Sequence, residues 1–200
     1  MKKVILASTS PYRAQLLETL GISFEKMDSG VDEDFFKDQI KDPLELAKKL
    51  AFEKAQAIFL KDPNAIVIGG DQISLFEHSD RTGSASRVLG KPGDFEGALK
   101  QLTLLEGQTH KLITCVCVLA PNFQENFEDI TTLQMRNLTQ SEIVRYIEKD
   151  EPFNCAGSYK IESVGISLFE QVQTNDFTAI VGLPLIQLSK TLRKVGLELP

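Results

Sequence analysis

Val4-Ile5-Leu6-Ala7-Ser8-Thr9-Ser10-Pro11 decides the fold class. Val4 to Ala7 is a short apolar run with β-branched members, the pattern of a buried strand, and Ser10-Pro11 supplies the cap and first position of a helix running to Leu20. Gly21 ends that helix, and Leu16, Leu17 and Leu20 give it one apolar face. A strand handing over directly to a helix is a building unit of α/β domains.

The alternation recurs along the chain. Asp42-Pro43 announces a second helix, with Leu44, Ala47, Leu50, Ala51, Ala55 and Ile58 at helical spacing before Asp62-Pro63-Asn64 stops it. Ala65 to Ile68 is again strand-like. Asp94 to Leu105 reads as a third helix, Lys111 to Leu119 as a strand, Thr131 to Arg136 as a partner strand, and Ser141 to Lys149 and Leu185 to Val195 as further helices. The long middle strands favour a mixed sheet with hairpins over a purely parallel, doubly wound one. Glu77 to Arg87, EHSDRTGSASR, is polar and rich in Ser and Gly between two apolar segments, so it reads as a long hairpin tip or loop insertion. It does not divide the chain, and residues 1–200 are expected to form one domain.

Composition narrows the function. The 200 residues hold 22 Lys+Arg against 28 Asp+Glu, a net charge of −6, and 42% are hydrophobic, which suits one ordinary folded core. The negative balance argues against an electrostatic grip on DNA or RNA, which relies on clustered Lys and Arg. A small phosphorylated ligand needs only a local cationic pocket. No apolar run approaches the roughly 20 residues of a membrane span, and the run before Ser8 is too short for a signal peptide. Cys115, Cys117 and Cys155 are odd in number, lack zinc-site spacing and read as reduced thiols of a cytoplasmic protein.

Several segments carry groups fit for chemistry. At Ser8-Thr9-Ser10-Pro11-Tyr12-Arg13, unpaired N–H groups at a helix start, hydroxyls and a guanidinium suit a phosphate, although spacing alone equally describes a plain helix cap. Gly69-Gly70-Asp71-Gln72 places a carboxylate at a strand end, where it can take a proton from water or hold a metal, or else close a solvated turn. Gly90-Lys91-Pro92-Gly93 sets an ammonium in a stiff loop before a helix. Asp32-Glu33-Asp34 could give an oxygen ligand to Mg²⁺, and equally reads as a solvated acidic loop. Lys54 falls on the polar side of its helix and by itself reads as a surface lysine. His78 and His110 are too few and too far apart for a zinc site, and neither a dinucleotide fingerprint nor a Walker loop is present.

Taken together the segments resemble the Maf family of nucleoside triphosphate pyrophosphatases. The resemblance runs through ILASTSPYRAQLL (5–17), VDED (31–34), EKAQA (53–57), IGGDQ (68–72), LGKP (89–92), GQTH (107–110), CAGSYKIE (155–162) and VGLPL (181–185). It implies an elongated, twisted mixed sheet flanked by helices, similar to inosine triphosphate pyrophosphatase, with a cleft between two lobes. It also implies Asp71 as proton acceptor and Tyr12, Gln72 and Glu162 as specificity positions. Ser8, Arg13, Lys54, Lys91 and Lys160 become phosphate-binding positions, which moves Lys54 from the surface to the site, and Glu33 and Asp71 become ligands of Mg²⁺ or Mn²⁺. The Glu77–Arg87 segment is longer than is usual in the family.

Gln72 and Glu162 resemble the branch that hydrolyses 7-methyl-GTP, where the dTTP and UTP branch carries Thr and Gln. The chemistry agrees with that assignment. Attack on the α–β phosphoanhydride needs cations to offset phosphate charge and a base to orient water. N7-methylation makes guanine cationic, so a carboxylate at 162 attracts it and Tyr12 can stack on it. The implied partner is a small-molecule nucleotide, with a homodimer left open. The competing expectations are dTTP/UTP hydrolysis and a non-catalytic nucleotide-binding regulator linked to septum formation.

Overall fold

In the computed structural model, which describes residues 2–80 and 83–199, the opening stretch folds as its pattern requires. Strand β1 (Val4–Ala7) is buried on both faces and leads into α1 (Pro11–Glu18), whose N-cap Ser10 accepts a hydrogen bond from the Arg13 N–H. Pro11 fills the first turn, where no N–H is needed. Then come β2 (Glu25–Lys26), α2 (Glu33–Gln39), α3 (Pro43–Phe59) and β3 (Ile66–Asp80). They are followed by β4 (Gly83–Leu89), α4 (Phe95–Leu105), β5 (Thr109–Ala120), β6 (Phe123–Met135) and α5 (Gln140–Asp150). Short 3₁₀ turns at Ala156–Ser158 and Val164–Leu168 precede β7 (Phe169–Gln173), α6 (Phe177–Val181) and α7 (Leu185–Lys194).

The seven strands form one mixed sheet in the order β2-β1-β3-β5-β6-β7, with β4 paired to β3. β1 runs parallel to both β2 and β3, whereas β3–β4 and β6–β7 are antiparallel. Helices and strands thus alternate where the strands are parallel, and hairpins take over in the middle of the chain.

The chain divides into two compact units. The first comprises residues 1–72, 114–129 and 176–200, and the second residues 73–113 and 130–175. In the first, Val4 and Leu6 of β1, Ile66 and Ile68 of β3 and Val116 and Val118 of β5 meet Leu17 of α1 and Leu188 and Leu192 of α7 in one core. Cys115 and Cys117 lie on the other face of β5 from those valines, buried and unpaired, and Cys155 in the second unit is half-buried. The second unit packs α4 against α5 and the 156–158 turn.

Three expectations change. The acidic run 32–34 is not a solvated loop but the start of α2: Asp32 is its N-cap, accepting from the Asp34 and Phe35 N–H groups, and Glu33 and Asp34 sit in the first turn, where carboxylates favour the helix dipole. The strand expected at 65–68 extends to Asp80, and the one expected at 131–136 begins at Phe123. Within the polar stretch 77–87, the backbone pairs in register from Glu77↔Ser86 to Asp80↔Gly83, while residues 81–82 and the side chains of 78–85, His78 included, lie outside the described residues. Among the described residues no helix is long and apolar enough to cross a membrane.

Candidate active site

The site starts from a glycine. A Cβ at Gly69 would lie 2.2 Å from the Ala51 carbonyl oxygen and 2.7 Å from the Ala55 nitrogen, so α3 approaches β3 as closely as it does only because position 69 has no side chain. Asp71 projects from the same strand face as residue 69, since side chains alternate along a strand. Lys54 lies between Ala51 and Ala55 on the facing stripe of α3. The close approach therefore joins them: Lys54 Nζ is 2.7 Å from Asp71 Oδ1.

The same ammonium is 2.6 Å from Oε1 of Glu33, the first residue of α2. Two carboxylates from separate elements thus share one buried lysine, with side-chain exposures of 11% for Lys54 and 8% for Asp71. The reading of Lys54 as a surface residue is overturned, because helical periodicity cannot register partners brought by β3 and α2. Lys37, one turn along α2, stands 3.8 Å from Glu33 Oε2 and 2.8 Å from Asp34.

Arg13 completes the cluster from α1. Its Nε donates to the Gly182 carbonyl at 3.1 Å and its Nη1 to Ser8 Oγ at 3.4 Å. The Ser8 hydroxyl oxygen also accepts from the Ser10 N–H at 3.2 Å, which holds the β1–α1 junction. Buried Asp176 shapes the segment carrying Gly182: Oδ1 accepts from the Thr178 N–H and hydroxyl, and Oδ2 from the Ile186 N–H. Asp176 and the Gly182 carbonyl were not anticipated as site residues, although VGLPL was visible as a motif.

Burial is the leading cause of the shifts at the centre. It raises the Asp71 carboxyl above its usual range, with Lys54 and then Arg13 opposing and Glu33 adding to the rise. It lowers Arg13, against the pull of Asp71 and Glu33. A carboxylate of raised pKa is a better proton acceptor, and the guanidinium beside it can fork onto an anion. Burial pushes Cys115 and Cys117 up to about 12, which keeps both as protonated thiols at neutral pH and unsuited to nucleophilic attack.

Gln72 projects to the opposite face from Asp71. Its amide nitrogen donates to Thr114 Oγ1 at 2.9 Å and to the Ala179 and Ile180 carbonyls at 3.0 Å, binding β3 to β5 and α6, so the side-chain oxygen is its remaining polar atom. Tyr12 is half-buried at the second position of α1.

The structure therefore brings together Ser8, Arg13, Glu33, Lys54 and Asp71 in the first unit, while Lys91, Lys160 and Glu162 belong to the second. Lys91 is exposed in the loop after β4. Lys160 is half-buried, its N–H donating to the Tyr146 hydroxyl at 2.9 Å and its ammonium to the Asp150 carbonyl at 2.6 Å, at the C-terminal end of α5. Glu162 is exposed. Neighbouring Tyr159 is buried with its hydroxyl 2.8 Å from His110 Nε2, and burial pushes that imidazole down to about 4, so it is neutral at pH 7.

Among the described residues no group of three or more His, Cys, Asp and Glu gathers as a ready-made metal cage. Glu33 and Asp71 are nevertheless hard oxygen donors, and Mg²⁺ characteristically takes one or two carboxylates, with water and substrate phosphates supplying the rest. The donor set fits a divalent cation held jointly with a phosphorylated ligand.

Comparison with known proteins adds lineage to this geometry. A family model described as Maf-like protein matches residues 3–195. A 7-methyl-GTP pyrophosphatase of Bdellovibrio bacteriovorus is 44% identical over 196 residues, covering 98% of each chain. Proteins of the same name are 42% identical over 200 residues in Xanthomonas axonopodis pv. citri, spanning 100% of both chains, and 38% over 200 residues in Syntrophotalea carbinolica, spanning 99% of this chain and 97% of that one. Among solved structures, a HAM1 protein from Coxiella burnetii aligns at a TM-score of 0.47 and 12% identity over 97% of this chain and 100% of that chain.

Proposed function

The chain belongs to the Maf-like protein family, and on that footing we propose that it is a nucleoside triphosphate pyrophosphatase that hydrolyses 7-methyl-GTP to 7-methyl-GMP and pyrophosphate. Full-length relatives bearing that name at 38–44% identity support the substrate. The observation that carries the chemistry is Asp71, a buried carboxylate bonded to Lys54 at 2.7 Å with Arg13 as a second cation.

In this reading Asp71 takes the proton from the attacking water. Its raised pKa makes it more basic, and Lys54 holds the carboxylate in one orientation. Arg13, steered by the Gly182 carbonyl and Ser8, keeps guanidinium N–H groups for phosphate oxygens, and Ser8 contributes its hydroxyl. Lys91 and Lys160 supply further positive charge for the phosphate tail. Glu33 and Asp71 would hold Mg²⁺ or Mn²⁺, which when bound offsets phosphate charge and polarises the phosphoryl group.

Base recognition falls to Tyr12, Gln72 and Glu162. The Gln72 amide nitrogen is committed to Thr114 and α6, so its oxygen is the atom left to accept from a base N–H. Glu162 adds an attraction that a methylated, cationic guanine has and plain guanine lacks. The reading places the enzyme in the cytoplasm, which agrees with Cys115 and Cys117 held as buried thiols.

The test is pyrophosphate release with Mg²⁺ or Mn²⁺ from 7-methyl-GTP, GTP, dTTP and UTP, run on the natural chain and on Glu162→Gln. The natural chain is expected to favour 7-methyl-GTP, and Glu162→Gln to lose about tenfold of that preference, the equivalent of one contact of about 1.4 kcal/mol. Preference for dTTP or UTP overturns the substrate. Tight nucleotide binding with no monophosphate formed under either metal overturns the enzyme in favour of a regulator.

A further inference from the structure

One side chain outside every recognised motif joins the two segments that carry Lys91 and Lys160. Gln101 stands half-buried on α4. Its Nε2 donates to the Gly90 carbonyl at 3.0 Å, and its Oε1 accepts from the Ser158 hydroxyl at 2.6 Å. Gly90 immediately precedes Lys91, and Ser158 lies two residues before Lys160.

The Ser158 end of this link is a costly conformation. Ser158 has φ 64 and Gly157 before it φ 79, two successive left-handed residues. Such geometry persists in a non-glycine residue only where its surroundings impose it. A Cβ at 157 would lie 2.8 Å from Tyr159 Cε1 and 3.1 Å from Ser74 Oγ, so the turn is packed as well as twisted. The Ser158 hydroxyl spends its proton on Gln101.

Only a carboxamide serves both ends. The Gly90 carbonyl requires a donor and the Ser158 hydroxyl an acceptor; Glu supplies only the second, and Leu neither.

We propose that Gln101 is a positioning residue for phosphate recognition, one amide setting the backbone that places both Lys91 and Lys160. The proposal rests on the phosphate-binding reading of those two lysines given above. It differs from a general packing role because it couples two segments more than 50 residues apart and acts on the part of the ligand they would share.

The experiment uses the full chain, with Gln101→Leu, Gln101→Glu and Ser158→Gly, the last keeping a residue at ease at φ 64. Backbone hydrogen exchange is followed over 88–93 and 156–162, with steady-state kinetics and inhibition by inorganic pyrophosphate in parallel. Gln101→Leu is expected to speed exchange in both segments while α5 and β1 keep their protection. Gln101→Glu should loosen 88–93 alone, and Ser158→Gly 156–162 alone. Both lysines would hold the phosphate tail in ground and transition states alike, so Gln101→Leu should raise KM and the pyrophosphate inhibition constant about tenfold while kcat falls less than about threefold. Unchanged exchange in either segment with Gln101→Leu overturns the tether. Faster exchange with unaltered KM and pyrophosphate inhibition overturns its link to phosphate. Should the natural chain release no pyrophosphate from any triphosphate, the catalytic reading fails, and the exchange pattern together with direct pyrophosphate binding still decides the tether.

Discussion

Replacing Lys54 by Met isolates what the shared lysine does. Met keeps the unbranched, apolar length of the side chain and removes the ammonium, leaving Asp71 in a site where its side chain is 8% exposed and its direct hydrogen-bonded cation is gone. Glu33 is far more exposed, at 43%, and can turn to water, so the cost concentrates on Asp71. Removing one partner of a buried pair costs about 3–5 kcal/mol. For a chain of this size about 1 kcal/mol moves Tm by about 2–4 °C, which places the expected fall at about 6–20 °C. Lys54→Met/Asp71→Asn removes both charges and should recover at least half of the loss. The pH dependence carries the sign: burial already raises the Asp71 carboxyl above its unfolded value, and losing Lys54 raises it further. A group raised on folding favours the fold below its unfolded pKa and penalises it as pH rises through its folded one. The gap in Tm between the natural chain and Lys54→Met should therefore be widest near pH 7 and narrow toward pH 4. Thermal melts followed by circular dichroism across that range decide it. A Lys54→Met chain within about 1 kcal/mol of the natural one at pH 7, or a gap that widens on acidification, refutes the reasoning.

Two further outcomes follow from the same geometry. Asp71→Asn leaves Lys54 its 2.6 Å bond to Glu33, so the fold should hold within a few degrees while pyrophosphate release falls by about 10²–10⁴, the usual contribution of a general base; in the natural chain the acid limb of kcat/KM should have its midpoint above the ordinary aspartate value, and an Asp71→Asn chain of normal activity removes Asp71 from the proton-accepting role. Gly69→Ala drives a methyl into the Ala51 carbonyl and the Ala55 nitrogen, and α3 must retreat, so we expect a loss of about 1–3 kcal/mol in chemical denaturation together with a drop in turnover as Lys54 leaves Asp71. A Gly69→Ala chain of unaltered stability would show that α3 can be displaced freely.

What could be read in the sequence was whatever is written locally. Ser10-Pro11, Asp42-Pro43 and Asp94 announce α1, α3 and α4 because a side-chain oxygen there satisfies an N–H within three residues. Alternating elements and long middle strands were enough for a mixed α/β sheet. The same logic was available at Asp32, yet three consecutive acids hid a cap followed by two first-turn carboxylates. Lys54 shows the opposite limit: periodicity assigned it to solvent, and only the approach of β3 and α2, residues distant in sequence, buries it. Asp176 and the Gly182 carbonyl escaped notice for the same reason, since they act on Arg13 from the far end of the chain. Gln101 carries no motif at all, because its partners are a backbone carbonyl and a serine hydroxyl.

Neither compact unit is a continuous stretch: the first is assembled from three pieces and the second from two. During synthesis α1 leaves the ribosome early, but the carbonyl that steers Arg13 follows 169 residues later, and the Asp176 network that shapes it arrives in the same late piece. A nascent chain halted before residue 176 thus displays a guanidinium with no carbonyl to steer it, and seating that arginine becomes a late event in the biogenesis of the enzyme.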